Sequence, residues 1–329
     1  MKLYIKTLLI ILVSINISHS NEKLTVYTYD SFVAEWGPGP LLEEKFEKEC
    51  NCDLELIGLS DGVEILTRIM YEGKNTNADV VLGLDSNLLH RARDTNLFNQ
   101  HNIDITNLTI SKRFDDDIFV PFDYGYFSFI YDSTKISEPP KSFDDLLQSD
   151  NLRIIIQDSR TSTPGLGLLL WVKDIYGSKA AEVWAKLGEK IVTVTPGWSE
   201  AYGLFLDGEA DMVLSYTTSP AYHITYENDH RYKAAHFIEG HYEQIEVAAK
   251  LKNTQNDKIA DKFLKFIISK EAQDILPTTQ WMYPVILEAD LPESYDQLIK
   301  IENPLRIEPE EIFLNNEQWI REWESSLSN

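Results

Sequence analysis

Three strand-like segments, each followed by a helix-like one, fill the stretch from Leu24 to Arg93, and this alternation restricts the fold more than any other feature. Leu24-Thr25-Val26-Tyr27-Thr28-Tyr29 alternates and is rich in β-branched and aromatic residues, as a strand is. After the break Trp36-Gly37-Pro38-Gly39-Pro40, the apolar residues of Leu41 to Glu49 fall at helical spacing. Leu54 to Ile57 reads as a second strand and Gly62 to Tyr71 as a helix. Asp79 to Gly83 is a third, continuously apolar strand, and Leu88 to Arg93 begins another helix. Strand and helix in strict alternation imply a parallel sheet with right-handed crossovers. A continuously apolar strand fits a sheet covered on both faces. In such sheets ligands sit beyond the carboxyl ends of the strands, which points to the loops 29–39, 59–62 and 84–87.

The chain has 329 residues, enough for two domains of ordinary size. Phe119 to Asp132 is a long aromatic, β-rich run with a break expected at Pro121 to Asp123, and it reads as the chain leaving one domain for another. A second α/β set follows: a strand at Leu152 to Ile156, helices at Pro164 to Val172 and Ala180 to Leu187, and a strand at Ala210 to Ser215. Ile245 to Ala249 reads as the returning strand. The expectation is an α/β protein of two lobes, residues 21–122 with 247–329 and residues 123–246. Each lobe would hold a parallel-dominated mixed sheet flanked by helices, and two crossing strands would form a hinge between them.

Residues 1–20 stand apart. Lys2 and Lys6 precede the mostly apolar stretch Leu8 to Ile17, and Ser18-His19-Ser20 supplies small residues, the pattern of a cleavable secretory signal. The net charge of -23 disfavours nucleic acid and anionic lipid as partners. It suits a cationic small ligand, or serves solubility alone. In an oxidising compartment Cys50-Asn51-Cys52 can close a small disulfide, with a free pair as the alternative. No Gly-rich nucleotide loop or nucleophile elbow is present, so no catalytic residue is assigned. His223, His230, His236 and His241 lack metal-ligand spacing and are expected at the surface, so no metal site is assigned either.

Polar and aromatic residues gather at the predicted strand ends: Tyr29, Asp61 with Gly62, Trp198, Tyr216 with Thr217, Thr218 and Ser219, then Tyr222 and Trp281. Aromatic faces hold flat or cationic groups, and a carboxylate among them adds charge pairing. Ser162 and Thr163 precede Pro164, so Thr163 is expected near a helix N-cap. There the hydroxyls and free amides attract an anion or simply cap their own helix.

The segments TVYTYDSF, WGPGP, ADVVLGLD, FVPFDYGYFSFIYD, RTSTPGLGLLLW, GWSEAYGLFL and LSYTTSPAYH run from residue 25 to residue 223, and WMYPV lies near residue 281. On these the chain resembles the periplasmic thiamine-binding proteins of bacterial ABC importers. The resemblance implies the two-lobed type II binding-protein fold and a monomeric, non-enzymatic protein of the periplasm without a cofactor. It implies thiamine, thiamine monophosphate and thiamine diphosphate as cleft ligands, handed on to a permease and ATPase complex. Carried onto this sequence, the contacts are Asp61, Gly62, Ser162, Thr163, Trp198, Tyr216, Thr217, Thr218 and Ser219, with Tyr29, Tyr222 and Trp281 as aromatic walls. Two competing readings are a thiamine-degrading enzyme and a carrier of ferric iron or a polyamine. The first needs a cleft cysteine nucleophile, whereas Cys50 and Cys52 follow a helix away from the predicted cleft loops. Iron needs hard oxygen ligands converging on one point.

Overall fold

The computed structural model describes residues 22–327 except 111 and 113; the expected signal segment 1–20 lies outside the described residues. The strands are β1 (Lys23–Tyr29), β2 (Asp53–Leu59), β3 (Val80–Asp85), β4 (Val120–Asp132), β5 (Ile154–Gln157), β6 (Ile191–Thr195), β7 (Met212–Tyr216), β8 (Tyr232–Ala234), β9 (Glu243–Lys250) and β10 (Tyr283–Pro284). Their order is β2-β1-β3-β9-β4-β7-β5-β6, with β8 and β10 also paired to β4. β1 runs parallel to β2 and β3, and β5 runs parallel to β6 and β7. Between these two parallel trios lies an antiparallel seam, β3-β9-β4-β7. The expected mixed α/β architecture is therefore present, with the repeated strand–helix units at the two ends of the strand order.

β4 carries the chain from one half to the other. Its residues Val120 to Tyr126 pair with β9, and Phe127 to Tyr131 pair with β7. The break expected at Pro121 to Asp123 is instead a register shift within a continuous strand. Proline lacks the N–H that a ladder needs, and a bulge accommodates that without ending the strand. The exchange of partner falls between Tyr126 and Phe127.

The helix Pro309–Leu327 buries Ile312, Trp319 and Trp323. It packs on the helix Ala180–Gly188 of one half and on Leu89–Asp94 of the other. Trp323 meets Trp184 edge to face, Lys173 Nζ bonds Glu322 at 2.9 Å and Arg160 bonds Glu324 at 2.5 Å. The segment expected to belong to the first lobe thus ends as a strap across both halves. At the end of the helix Gly39–Cys50, Cys50 and Cys52 are joined in a disulfide, with Asn51 between them in the left-handed region.

Candidate functional site

A cavity of about 280 Å³ opens between the two halves, at the carboxyl ends of β1, β2 and β7. Part of the wall comes from segments at or just beyond strand ends. Tyr29 closes β1, Ser60 and Asp61 follow β2, and Tyr216 ends β7 with Ser219 in the turn beyond. Trp198 and Tyr202 come from the helix Trp198–Leu206. Tyr222, Gln280, Trp281 and Met282 complete the enclosure, and exposed Trp36 lies at its edge.

Two glycines let the backbone close up around this space. Gly83 has φ +100°, and a Cβ there would stand 2.2 Å from the Tyr29 ring. Only glycine tolerates both the conformation and the contact, and the ring of Tyr29 is seated against it. At Gly62 a Cβ would meet Thr163 Oγ1 at 2.3 Å and the Gly83 carbonyl oxygen at 2.5 Å. A bare backbone therefore brings the β2 loop onto the start of the helix Thr163–Tyr176.

That helix start holds Asp61. Its Oδ1 accepts from the Gly62 N–H at 2.7 Å and the Thr163 N–H at 3.1 Å. Its Oδ2 accepts from the Ser162 hydroxyl at 2.8 Å and the Trp198 N–H at 3.2 Å. Burial raises the Asp61 carboxyl above its ordinary range, and these four donors oppose the shift. The helix start at Thr163, expected to attract an anion or to cap its own helix, thus receives a carboxylate from across the cavity, and so does the start of the helix at Trp198. The cap itself is Ser162, one residue earlier than expected, and Thr163 is the first helical residue.

The aromatic walls have defined geometry. The Trp198 ring stacks on Tyr202 with centroids 5.0 Å apart, and its indole N–H donates to Ser215 Oγ at 2.7 Å. Ser215 and Ser219 share a hydroxyl hydrogen bond of 2.7 Å. Trp281 meets Tyr222 at 5.7 Å and Tyr226 at 5.5 Å, both edge to face. Its φ of +59° is rare for a bulky residue, a strained conformation of the kind that surrounding structure must hold in place.

A hydrogen-bond chain forms the floor. The Tyr216 hydroxyl donates to Gln244 Oε1 at 2.6 Å, and Gln244 Nε2 donates to Glu246 Oε1 at 2.6 Å. The Tyr29 hydroxyl donates to Glu246 Oε2 at 2.7 Å and accepts from Gln280. Burial, followed by nearby carboxylates, holds both phenols well above their ordinary range, so they stay protonated donors.

Of the residues singled out from the sequence, Tyr29, Asp61, Trp198, Tyr216, Ser219, Tyr222 and Trp281 line this cavity. Gly62, Ser162 and Thr163 stand behind Asp61. Thr217 and Thr218 are buried behind the turn, with hydroxyls that find no partner among the described residues. Sequence reasoning missed Glu246, Gln280 and Tyr202. The signal for Glu246 was available: an acid in the middle of the apolar run Ile245 to Ala249. The histidine expectation needs correction. His223 and His241 are fully buried, the first against Tyr202 at 3.0 Å and Glu227 at 2.6 Å, the second against the Phe127 carbonyl at 2.7 Å. Hydrogen bonds on both ring nitrogens make those interior positions possible.

Residues 75–310 match the family of bacterial extracellular solute-binding proteins. The chain belongs to that family. It is 52% identical over 306 residues to the thiamine-binding periplasmic protein of Escherichia coli K12, covering 93% of each chain. It is 50% identical over 313 residues to the protein of the same description from Brucella melitensis, covering 94% of each. A solved periplasmic thiamin binding protein superposes with a TM-score of 0.92 at 51% identity, covering 95% of this chain and 98% of that one. A ferric binding protein from Campylobacter jejuni shares the fold at a TM-score of 0.76 and 17% identity. Members of the solute-binding family hold and release a cargo without chemistry on it, and this solute-binding protein is not an enzyme.

Proposed function

We propose that this protein captures thiamine and its mono- and diphosphates in the periplasm and delivers them, as a monomer, to the permease and ATPase complex of an ABC importer. One observation carries the reading: a cavity walled by Trp198, Tyr202, Tyr216, Tyr222 and Trp281 has a carboxylate, Glu246, in its floor. Thiamine is a flat aminopyrimidine joined to a cationic thiazolium, and aromatic faces with a carboxylate are the chemistry that recognises such a molecule. The relatives described as thiamine-binding, at half or more identity over nearly the full length, support the same solute.

In this reading Tyr29, Tyr222 and Trp281 surround the rings, while Trp198, Tyr216 and Ser219 lie along the hydroxyethyl tail. Ser162 and Thr163, with Gly62, Thr217 and Thr218 behind the wall, support the tail end. A phosphate there must draw donors away from Asp61. The lobes 21–122 with 247–329 and 123–246 close on the ligand about β4, and residues 1–20 are removed on export. The absence, among the described residues, of a helix long and apolar enough to cross a membrane is compatible with this route.

The test is a tryptophan-fluorescence titration of ligand-stripped protein with thiamine, thiamine monophosphate and thiamine diphosphate. Saturation near or below the micromolar range is expected, with the signal from Trp198 and Trp281. A folded protein that binds none of the three overturns the reading. Bound iron, visible as a coloured protein, would favour the other carriers of this fold.

A further inference from the structure

We propose that Glu246, backed by Asp123 on the neighbouring strand, reads the charge of the ligand: the two carboxyls share a proton while the cavity is empty and release it to water when a cationic ring binds. The inference rests on the thiamine reading above and deepens it.

Asp123 and Glu246 stand directly opposite each other on antiparallel β4 and β9. Their exposures are 0% and 4%. Glu246 faces the cavity, whereas both carboxyl oxygens of Asp123 are buried without a hydrogen-bond partner among the described residues. Among the described residues no lysine or arginine pairs with Glu246, Asp123, Asp85 or Asp61. The groups that face the pair are acids and phenols: Tyr29 from β1, Asp85 from β3, Asp61 from the β2 loop, Tyr216 from β7 and Tyr295 from the segment after β10. Like charges opposite each other on adjacent strands repel. A buried carboxylate without a counter-ion carries a desolvation cost larger than that repulsion. The empty site meets both demands by keeping a proton on the pair. Burial accordingly pushes Glu246 up to about 8, and Asp123 rises well above the carboxylate range through burial and through Glu246.

The positive charge of a thiazolium sits on a quaternary nitrogen and does not titrate near neutral pH, so the adjustment falls on the protein. Of the other two cavity carboxylates, Asp61 already accepts four hydrogen bonds, and Asp30 is exposed to water and accepts from Ser199 Oγ at 3.0 Å, which leaves Glu246 as the buried acid free to respond. Binding favours the ionised pair, so a proton leaves at any pH below the raised value. Affinity for the cation then climbs with pH, by up to about tenfold per unit, and levels off near pH 8.

The experiment is isothermal titration calorimetry on the mature protein, from pH 6.5 to 8.5, in two buffers of different ionisation heat. The ligands are thiamine and its neutral isostere, in which a thiophene replaces the thiazolium. With thiamine, release approaching one proton near pH 7 is expected, with affinity rising as pH rises. The isostere should bind with neither effect. Glu246→Gln should abolish proton release and reduce thiamine affinity tenfold or more, with affinity for the isostere kept. Asp123→Asn, a check should Glu246→Gln not fold, should retain binding and shrink the proton release at pH 7. Thiamine binding by wild type without proton release, or unchanged release in Glu246→Gln, overturns this inference alone. Binding of neither ligand overturns the thiamine reading and this one with it.

Discussion

Four protein donors converge on the Asp61 carboxylate, and they come from both halves of the molecule: Gly62 beside it, and Ser162, Thr163 and Trp198 across the cavity. Hydrogen bonds to a charged group contribute about 1.5–3 kcal/mol each. Asp61→Ala should therefore loosen closure, weaken thiamine binding at least tenfold and lower the melting temperature, checked by calorimetry on one preparation. Asp61→Asn separates charge from contact. It removes the negative charge that a phosphate tail would meet, so the ratio of thiamine diphosphate to thiamine affinity should rise. An unchanged ratio would mean that the tail lies elsewhere. Aromatic residues after predicted strands were readable as site candidates because strand ends and ligands coincide in this architecture. Glu246 stood out only as an acid inside an apolar strand, a position that normally signals packing, and the cross-strand register is what shows that Asp123 lies opposite it.

Among the elements, the repeated strand–helix units were legible from periodicity alone, since both periods are local properties of the chain. The continuity of β4 was not. Its proline reads as a stop in one dimension and as a bulge only once β9 lies beside it. The small Cys50–Cys52 ring sits at the end of the Gly39–Cys50 helix, and neither cysteine lines the cavity. A ring this short removes little freedom from the unfolded chain, so replacing both cysteines with serine should cost less than about 2 kcal/mol. Thiamine affinity should be unchanged, with urea unfolding and fluorescence titration as the two measurements. A large loss of affinity would show that this helix end controls the cleft.

For the whole molecule, buried ionisable groups set a pH dependence of stability. Burial raises Asp85 to about 7 and Glu246 to about 8. Acids with raised native values are ionised sooner in the unfolded chain, so they withdraw stability as pH climbs from the unfolded carboxyl range to about 8. Buried His101, His223 and His241 are lowered by desolvation, His241 to about 4, and they withdraw stability as pH falls below about 6.5. The two effects oppose each other below that point, and only the carboxyls act above it. The ligand-free protein should therefore lose melting temperature between about pH 6.5 and 8, and Glu246→Gln should flatten the decline. Scanning calorimetry across that window decides; a flat wild-type profile would mean that the pair ionises as freely in the fold as outside it. The Pro309–Leu327 strap also belongs to this scale, because its Trp323 meets Trp184 and its Phe313 meets His90, on helices that lie far apart in the chain.

The sequence by itself determined the α/β class, the strand-end location of the aromatic residues and the acidic balance that suits a cation, because these follow from short-range periodicity and composition. The quoted motifs added the family resemblance. Tertiary structure alone decided that Asp61 is held by donors from across the cavity, that Glu246 forms its floor against Asp123, and that the last helix ties the halves together. Each depends on which residues the sheet order and register bring into contact, and those are relations between segments rather than properties of any one of them.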